Sequence, residues 1–357
     1  MHTAMARGVE RKDLMQMRFE YYHEGLDTIP KLSVDGTVAN AVHFSHWVGN
    51  ETDFSVKADT STEIALNLVG APNRDELTKG IDLVTNNHFD TDGVLSVWTV
   101  LKGRPALDIR RELIAAAEAG DFSEFTGANG VRASIVLQGS DDPMDEGGSP
   151  LARHLAGGSS VDDARAYDLV LPEVERLLTR TDDYEFLWRD VWQRIEDAMN
   201  SFERGSSTVE EFVDEKLSLI LLAPDIYSSS GFRPTKHSAP FTAITRYARG
   251  ELFLIARPVG NGWSYRVDFP YYSWAETIIR PTIIRRDFSA LVARLNQLEN
   301  LPEGTWKIDK SELASAIKFA AEDGGPGRSS LSPETVAEAA RSQLRQDTTS
   351  TVHGAES

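Results

Sequence analysis

The sequence predicts an α/β fold: a parallel or mixed sheet flanked by helices in the N-terminal half, and an α+β C-terminal half with antiparallel strands. Two observations predict this fold class. Before residue 175, short apolar runs alternate with helical patterns, the order typical of strand–helix–strand units. In the second half, a "PVGNG" break separates two apolar runs, which indicates a β-hairpin.

Strand and helix patterns follow one another in the first half. Four segments have the apolar content or alternation of strands: 40–50, 62–70, 81–89 and 132–139. Helical patterns over 93–101 and 108–120 lie between the last two, and Gly120 provides a helix stop. We therefore expect a βαβ unit and a parallel sheet.

The remaining segments complete a three-part organisation. A long loop rich in Gly, Ser and Asp covers 139–163, an amphipathic helix with a core-facing stripe is expected over 182–205, and another helix near 287–299. We divide the chain into an α/β domain that carries a metal site, an α+β substrate or cap domain, and a flexible tail. The predicted ranges are 1–175, 176–322 and 323–357.

Composition and charge exclude several functional classes. The chain has no cysteine, which rules out disulfides, thiolate catalysis and cysteine-ligated metals. Its formal net charge of −18 disfavours a long nucleic acid as partner, whereas a small anionic substrate can still bind in a metal-filled pocket. Because no run of about 18 apolar residues and no signal-peptide core occur, we expect a cytoplasmic protein that does not bind a membrane. The oligomeric state stays open.

A histidine and two aspartates alternate where a strand is expected to end. His88, Asp90 and Asp92 are spaced two residues apart, so an extended backbone would place all three on one face. Two close carboxylates repel each other unless a proton or a cation relieves them. Gly93 permits a sharp turn, and the helix that follows favours an anionic ligand group. The spacing predicts a divalent-metal site, with a solvated acidic turn as the alternative.

The segment "NHFDTDGVLS" resembles the first motif of the DHH phosphoesterase superfamily, whose pattern runs H-x-D-x-D-G-x-x-S. Its positions are occupied by His88, Asp90, Asp92, Gly93 and Ser96. The resemblance implies a two-manganese site that cleaves phosphoanhydrides or phosphodiesters. It also implies that the first two ligands bind one ion and the last aspartate binds the other. As a whole, the chain resembles a group of uncharacterised bacterial proteins of similar length, which implies no activity.

Further residues are candidates for the same metal site. His43 and His46 end a strand-like run, and they could join His88 if the two strands are neighbours; otherwise they are ordinary loop histidines. Asp121, or Asp141 in "QGSDDP", could supply a later carboxylate. Manganese is the expected ion, with magnesium, iron or zinc as alternatives.

Three residues are candidates for substrate handling. His154 and His237 lie on predicted loops, where either could protonate a leaving group. Arg285 belongs to the basic segment "RPTIIRRDF", which could bind phosphate or form salt bridges with the surplus acids. The aromatic cluster Tyr271, Tyr272 and Trp274 fits either core packing or stacking against a ligand.

These observations predict a metal-dependent hydrolase of DHH-like type, acting on a small phosphoester or phosphoanhydride through a metal-activated water. Two alternatives remain open at the level of sequence. One is a mononuclear Fe, Mn or Zn enzyme of non-phosphate chemistry. The other is a DHH-derived domain without catalytic activity that binds a small molecule or a partner protein.

Overall fold

The computed structural model describes residues 17–143, 147–224, 239–300, 304–309, 314–324 and 327–354. The strands are β1 Arg18–Phe19, β2 Leu32–Val34, β3 Val42–Phe44, β4 Leu83–Thr85, β5 Thr208–Phe212, β6 Leu217–Leu221, β7 Leu252–Val259, β8 Gly262–Asp268, β9 Thr305–Ile308 and β10 Ser315–Ala320. The helices are α1 Ser61–Gly70, α2 Arg74–Leu77, α3 Thr91–Lys102, α4 Arg110–Phe122, α5 Ala128–Gln138, α6 Pro150–Leu155, α7 Asp163–Val170, α8 Val174–Thr179, α9 Glu185–Glu203, α10 Phe241–Tyr247, α11 Ser289–Leu298 and α12 Pro333–Gly354.

The first sheet is parallel throughout and has the strand order β1-β4-β2-β3. Leu32 of β2 lies opposite Val42 of β3 on one side and Val84 of β4 on the other. The residues of β2 and β4 are completely buried, as expected for parallel strands that are covered on both faces. Because the strands are parallel, the segments that follow β2, β3 and β4 all leave the sheet at the same edge.

Two predicted strands are helices. Segment 62–70 belongs to α1 and segment 132–139 to α5, so the prediction of a strand–helix–strand unit over 81–139 is wrong in its last member. Both helices are buried on most of their surface, which makes their apolar runs as continuous as those of buried strands. The predicted helices over 93–101 and 108–120 are confirmed as α3 and α4, but the predicted stop at Gly120 is wrong, because α4 continues to Phe122 and ends where Ser123 takes a φ of 47°.

The second sheet is mixed, with the order β5-β6-β7-β8-β10-β9. Only β6 and β7 pair in parallel; the other neighbours are antiparallel. The predicted hairpin is confirmed: β7 and β8 close with Val259 opposite Gly262, and Gly260 takes a positive φ of 60° in the two-residue turn. The structure therefore confirms the predicted α/β class, with a parallel sheet, a mixed second sheet and flanking helices.

The helices bury separate apolar cores. One core surrounds α1, α3, α4 and α5 and includes the predicted stripe of α9, of which Trp188, Trp192, Ile195 and Met199 are buried and Phe186 is exposed. Another core lies between the second sheet and α11 and α12. None of the described helices is long and apolar enough to cross a membrane.

The segment expected to be a flexible tail contains α12, which is 22 residues long. Val336, Ala337, Ala340 and Leu344 of this helix are buried in the second core, at the spacing of one helical face. The predicted domain boundary at residue 175 falls within α8. The three-part division remains a prediction.

Candidate metal centre

Two groups of ligand-type side chains meet at the edge of the first sheet and share one carboxylate. The first group comprises Asp35, His46, Asp92 and Asp121, and the second comprises Asp35, His88 and Asp90. Within each group, one ligand atom of every residue lies within 4.8 Å of the others. All four residues of the first group are buried, which makes an incidental surface cluster of acids a poor explanation.

Neighbouring strand ends bring three of these residues together. Asp35 follows β2 directly, His46 comes two residues after β3, and His88 lies in the loop after β4. Asp35 has a φ of 64°, in the left-handed region. A Cβ at Gly36 would lie 2.0 Å from Oδ1 of Asn87 and 2.5 Å from Oδ1 of Asn86, so a side chain there would displace the asparagine amides that pack against the turn after β2.

The predicted alternation along one strand is not how the motif residues converge. Strand β4 ends at Thr85, so His88 and Asp90 lie in the connecting loop and Asp92 lies in the first turn of α3. Asp90 is the N-cap of α3 and accepts a hydrogen bond from the backbone N–H of Gly93 at 2.7 Å. The capping interaction ends the extended backbone before Asp92, because aspartate binds the free amides of a helix start.

Asp92 connects the starts of two helices. Its Oδ2 accepts from the backbone N–H of Ser61 at 2.7 Å, and its Oδ1 accepts from that of Thr62 at 2.8 Å. Both amides belong to the first turn of α1. Burial and the charge of Asp35 raise the pKa of Asp92 to about 7, against the opposing effect of His46. The carboxylate is therefore held rigidly between α1 and α3.

Both histidines direct Nε2 toward the carboxylates. Nδ1 of His46 lies 2.7 Å from the backbone carbonyl of Asp59, and Nδ1 of His88 lies 3.0 Å from Oδ1 of Asn87. Because both partners accept hydrogen bonds, Nδ1 carries the proton in each ring. A histidine that binds a metal through one nitrogen commonly donates from the other nitrogen in this way.

The Nε2 atoms lie among carboxylate oxygens without being satisfied by them. Nε2 of His46 is 3.1 Å from Asp121 Oδ2, 3.6 Å from Asp35 Oδ1 and 3.8 Å from Asp92 Oδ2. Nε2 of His88 is 2.9 Å from Asp35 Oδ2 and 3.3 Å from Asp90 Oδ2. Among the described residues, the two Nε2 atoms and Asp35 Oδ2 are buried and make no hydrogen bond of favourable geometry. Buried nitrogen and oxygen atoms that lack hydrogen bonds and surround one point are suitable ligand atoms for a divalent cation.

The pKa values describe the protons that balance this cluster when no ion is bound. Burial alone would lower the pKa of His46 and of His88, but the surrounding aspartates raise them to about 10 and about 12. Burial and the charge of Asp92 raise the pKa of Asp121. Burial opposes ionisation of Asp35, but His88 and His46 keep its pKa below the ordinary value. Protons on the imidazoles thus balance part of the negative charge of the aspartates, which a bound cation would neutralise instead.

Sequence reasoning missed the residue that joins the two ligand loops. Oδ1 of Asn86 accepts from the backbone N–H groups of Gly36 and Asn87, at 3.1 and 2.7 Å. Its Nδ2 donates to the hydroxyl of Tyr167, which in turn donates to the carbonyl of His88. Asn86 is completely buried. The sequence feature that could have identified Asn86 is its position immediately after the short run that forms β4, at the edge where ligand residues are expected.

Two predicted metal ligands lie outside both groups. His43 lies on β3, the strand that precedes His46, and its Nε2 is 3.1 Å from the carbonyl of Val38. The carbonyl of Asp141 accepts a hydrogen bond from Ser123 Oγ, and its carboxylate belongs to neither group. His43 is three residues before His46, but it lies within β3 rather than beyond its carboxyl end.

The predicted catalytic residues have different surroundings from the residues of the two ligand groups. His154 lies on α6, and its ring packs against Phe186 at 4.9 Å. The guanidinium of Arg285 lies 4.7 Å from the ring of Phe269 and donates to Ser273 Oγ. His237 lies outside the described residues.

A segment of the second half packs against the region of the two ligand groups through buried charged side chains. The carboxylate of Asp59 accepts hydrogen bonds from the backbone amides of residues 278, 279 and 280 and from the guanidinium of Arg280. Arg280 also binds Glu118 and Glu124, at 2.6 Å each. Salt bridging to acids, one of the two interpretations of this basic segment, therefore describes Arg280. Although burial opposes ionisation, these hydrogen bonds lower the pKa of Asp59, whose carbonyl orients His46.

A cavity of about 620 Å³ adjoins the ligand groups. His88, Asp90 and Asp121 form part of its wall, together with Trp47 from the loop after β3 and Trp274 from the second half. A small molecule in this cavity would therefore lie against residues of both ligand groups.

The comparisons with known proteins give little functional information. Residues 15–351 match a protein family described as a family of unknown function (DUF6687). No curated protein matches the chain. Among solved structures, the pGpG-specific phosphodiesterase PggH from Vibrio cholerae is similar at 11% sequence identity and a TM-score of 0.31, over 89% of this chain and 99% of that one. A TM-score this low supports no conclusion about fold or activity.

Proposed function

The chain belongs to the DUF6687 family, and we propose that it is a hydrolase that binds two divalent metal ions and cleaves a small phosphoester or phosphoanhydride. The observation that carries the proposal is the shared Asp35, whose two oxygens face the two ligand groups. Oδ1 lies on the side of His46, and Oδ2 lies 2.9 Å from His88. A carboxylate between two ligand groups is suited to bridge two cations.

The proposal agrees with what the DHH resemblance implies for the motif. His88 and Asp90 fall in one group, and Asp92 falls in the other. The chain lacks a DHH triplet, but Asp35 and His46 provide a carboxylate and an imidazole from the ends of β2 and β3. Manganese suits this mixture of carboxylate and imidazole ligands, and we propose it as the natural ion.

Bound divalent ions supply a water of lowered pKa and neutralise the oxygens of a phosphate group. The chain itself keeps the ligands in place. Backbone amides of α1 fix Asp92. The backbone carbonyl of Asp59 orients His46, and the side-chain oxygen of Asn87 orients His88. These contacts would hold the ligands in place around the ions.

Metal analysis of the full-length protein, purified without chelator, tests the proposal. We expect titration with Mn²⁺ to saturate at two ions per chain, and Mn²⁺ to stimulate release of the alcohol from a generic phosphate monoester. The double variant Asp90→Asn, Asp92→Asn should lose both properties. Asp168→Asn, which removes an exposed carboxylate of α7, is the matched control and should keep both.

Three outcomes separate the alternatives. One ion per chain without phosphate chemistry would support a mononuclear enzyme instead. Two ions without hydrolysis of any phosphate ester or anhydride would support a binding protein. No bound ion, together with an unchanged melting temperature on addition of Mn²⁺, would leave an ion-paired network and refute the proposal.

A further inference from the structure

Two tryptophans form one wall of the cavity next to the metal ligands. The ring centroids of Trp47 and Trp274 are 5.2 Å apart, in an edge-to-face arrangement. Trp47 lies 5.5 Å from the ring of His88, and Trp274 lies 4.9 Å from the ring of His46. The indole pair is therefore adjacent to one histidine of each ligand group.

This pair differs from the tryptophans that stabilise the cores. Trp306 is 1% exposed and Trp188 and Trp192 are each 5% exposed, whereas Trp47 is 41% exposed and lines the cavity. Large aromatic surface left open in a concave site is available to a ligand ring. The pair also joins two regions of the chain, because Trp47 follows β3 and Trp274 follows β8.

The charges of the wall limit the kind of anion that can bind. The described lining residues include the carboxylates of Asp90, Asp121 and Asp163 and contain no lysine or arginine. Ions in the two ligand groups would coordinate the oxygens of one phosphate group, but the described lining provides no lysine or arginine for a second one. A volume of about 620 Å³ also leaves room for an organic group beside the phosphate.

We propose, resting on the hydrolase function above, that the substrate is a phosphoester with one phosphate group and an uncharged aromatic group that packs against Trp47 and Trp274. Hydrolysis forms a P–O bond to the oxygen of water and breaks the P–O bond to the alcohol. The alcohol oxygen takes a proton from that water, so the products are the alcohol and the phosphate.

The experiment compares benzyl phosphate, ethyl phosphate and pyrophosphate with the Mn-loaded full chain. The two alcohols are similarly poor leaving groups, so a difference in kcat/KM reports on contacts with the ring. We expect benzyl phosphate to be favoured over ethyl phosphate by about tenfold, the size of one good aromatic contact. Pyrophosphate should be the poorest substrate of the three.

Variants of Trp47 and Trp274 test whether these side chains cause the preference for benzyl phosphate. In Trp47→Leu and Trp274→Leu, the ratio of kcat/KM for benzyl over ethyl phosphate should approach one, whereas Trp274→Phe should keep most of it. The ratio is taken within each variant, so a general loss of activity cancels. Calorimetry with benzylphosphonate and ethylphosphonate, which are not hydrolysed, measures the same preference as affinity.

The outcomes distinguish this proposal from the function on which it rests. Equal rates for the two esters, or a preference for pyrophosphate, would overturn the aromatic substrate and leave the hydrolase in place. A benzyl preference that survives both leucine variants would also overturn it. Failure to hydrolyse any of the three substrates, while benzylphosphonate and ethylphosphonate bind equally, would count against both proposals.

Discussion

The two sheets of this protein differ in what lies at their strand ends. In the first sheet, Asp35, His46 and His88 follow the ends of parallel strands and lie at one edge. The helices around that edge provide the other residues of the ligand groups. The second sheet is mainly antiparallel, and its packing against α11 and α12 buries an apolar core. Parallel strands concentrate polar loops at one edge, whereas antiparallel strands distribute them over both ends. The proposed chemistry accordingly belongs to the first region. The second region contributes Trp274 to the lining of the cavity and Arg280, which forms ion pairs with acids of the first region.

The largest expected effect comes from the carboxylate that both ligand groups share. Asp35→Asn keeps the shape of the side chain but removes the charge that would face both ions, so we expect metal binding to be lost entirely at micromolar Mn²⁺. Metal content after dialysis measures this. Asp168→Asn should bind as the unchanged chain does. A variant that retains one tightly bound ion would show that the two groups are independent.

The next effect tests how the two regions are joined. Arg280 binds Asp59, Glu118 and Glu124, so Arg280→Met leaves three carboxylates without their cation. We expect the free energy of unfolding in urea to fall by about 3–5 kcal/mol. The exposed pair of Arg18 with Glu20 is the control, and Arg18→Met should cost less than about 1 kcal/mol. The number of bound ions should stay the same in Arg280→Met, because every described residue of the two ligand groups comes from the first region. A change in that number would contradict the division of roles.

A smaller effect separates two histidines that look equivalent in "HFSH". His46→Gln should weaken binding of one ion by more than roughly 100-fold, since removal of even an outer partner of a ligand costs about 10–100-fold. His43→Gln should leave the affinity unchanged, because His43 contacts the carbonyl of Val38 instead of the ligand groups. Calorimetric titration with Mn²⁺ measures both. Equal losses in the two variants would mean that the whole strand end is disturbed.

These residues show how far the sequence alone could predict the site. The motif His88, Asp90 and Asp92 was recognisable because its spacing is local. Asp35 was not, because its role depends on β2 lying between β3 and β4, and strand order is not visible in a single sequence. His43 and His46 could not be separated for a similar reason: the last residue of β3 decides which of them points beyond the sheet.

The fold was predictable where local signals were unambiguous. The hairpin of β7 and β8 has a Gly-Asn turn between two apolar runs, which is a strong hairpin signal, and α3 and α4 have helical periodicity, although α4 continues past the predicted stop at Gly120. Helices α1 and α5 were mistaken for strands because burial on most of their surface removes the polar face that marks a helix. Tertiary packing, which creates that burial, cannot be read from a short segment.

The last expected effect needs no substitution and is the pH dependence of metal binding. The aspartates around His46 and His88 raise their pKa values to about 10 and about 12, so both rings hold a proton on Nε2 at neutral pH when no ion is bound. An ion must displace these protons, and each displaced proton makes the apparent affinity rise about tenfold per pH unit. We expect affinity for Mn²⁺ to increase from pH 6.5 to pH 8.5, with proton release detected by calorimetry in buffers of different ionisation enthalpy.

The free energy of unfolding of the metal-free chain should change in the opposite direction and decrease as the pH rises. The raised histidine pKa values contribute stability that is complete below the ordinary pKa of about 6.5 and is lost as pH rises through about 10. Because alkaline pH weakens the metal-free cluster and strengthens ion binding, added Mn²⁺ should raise the melting temperature more at pH 8.5 than at pH 6.5. Equal shifts at the two pH values would contradict proton displacement and separate the imidazoles from the ion.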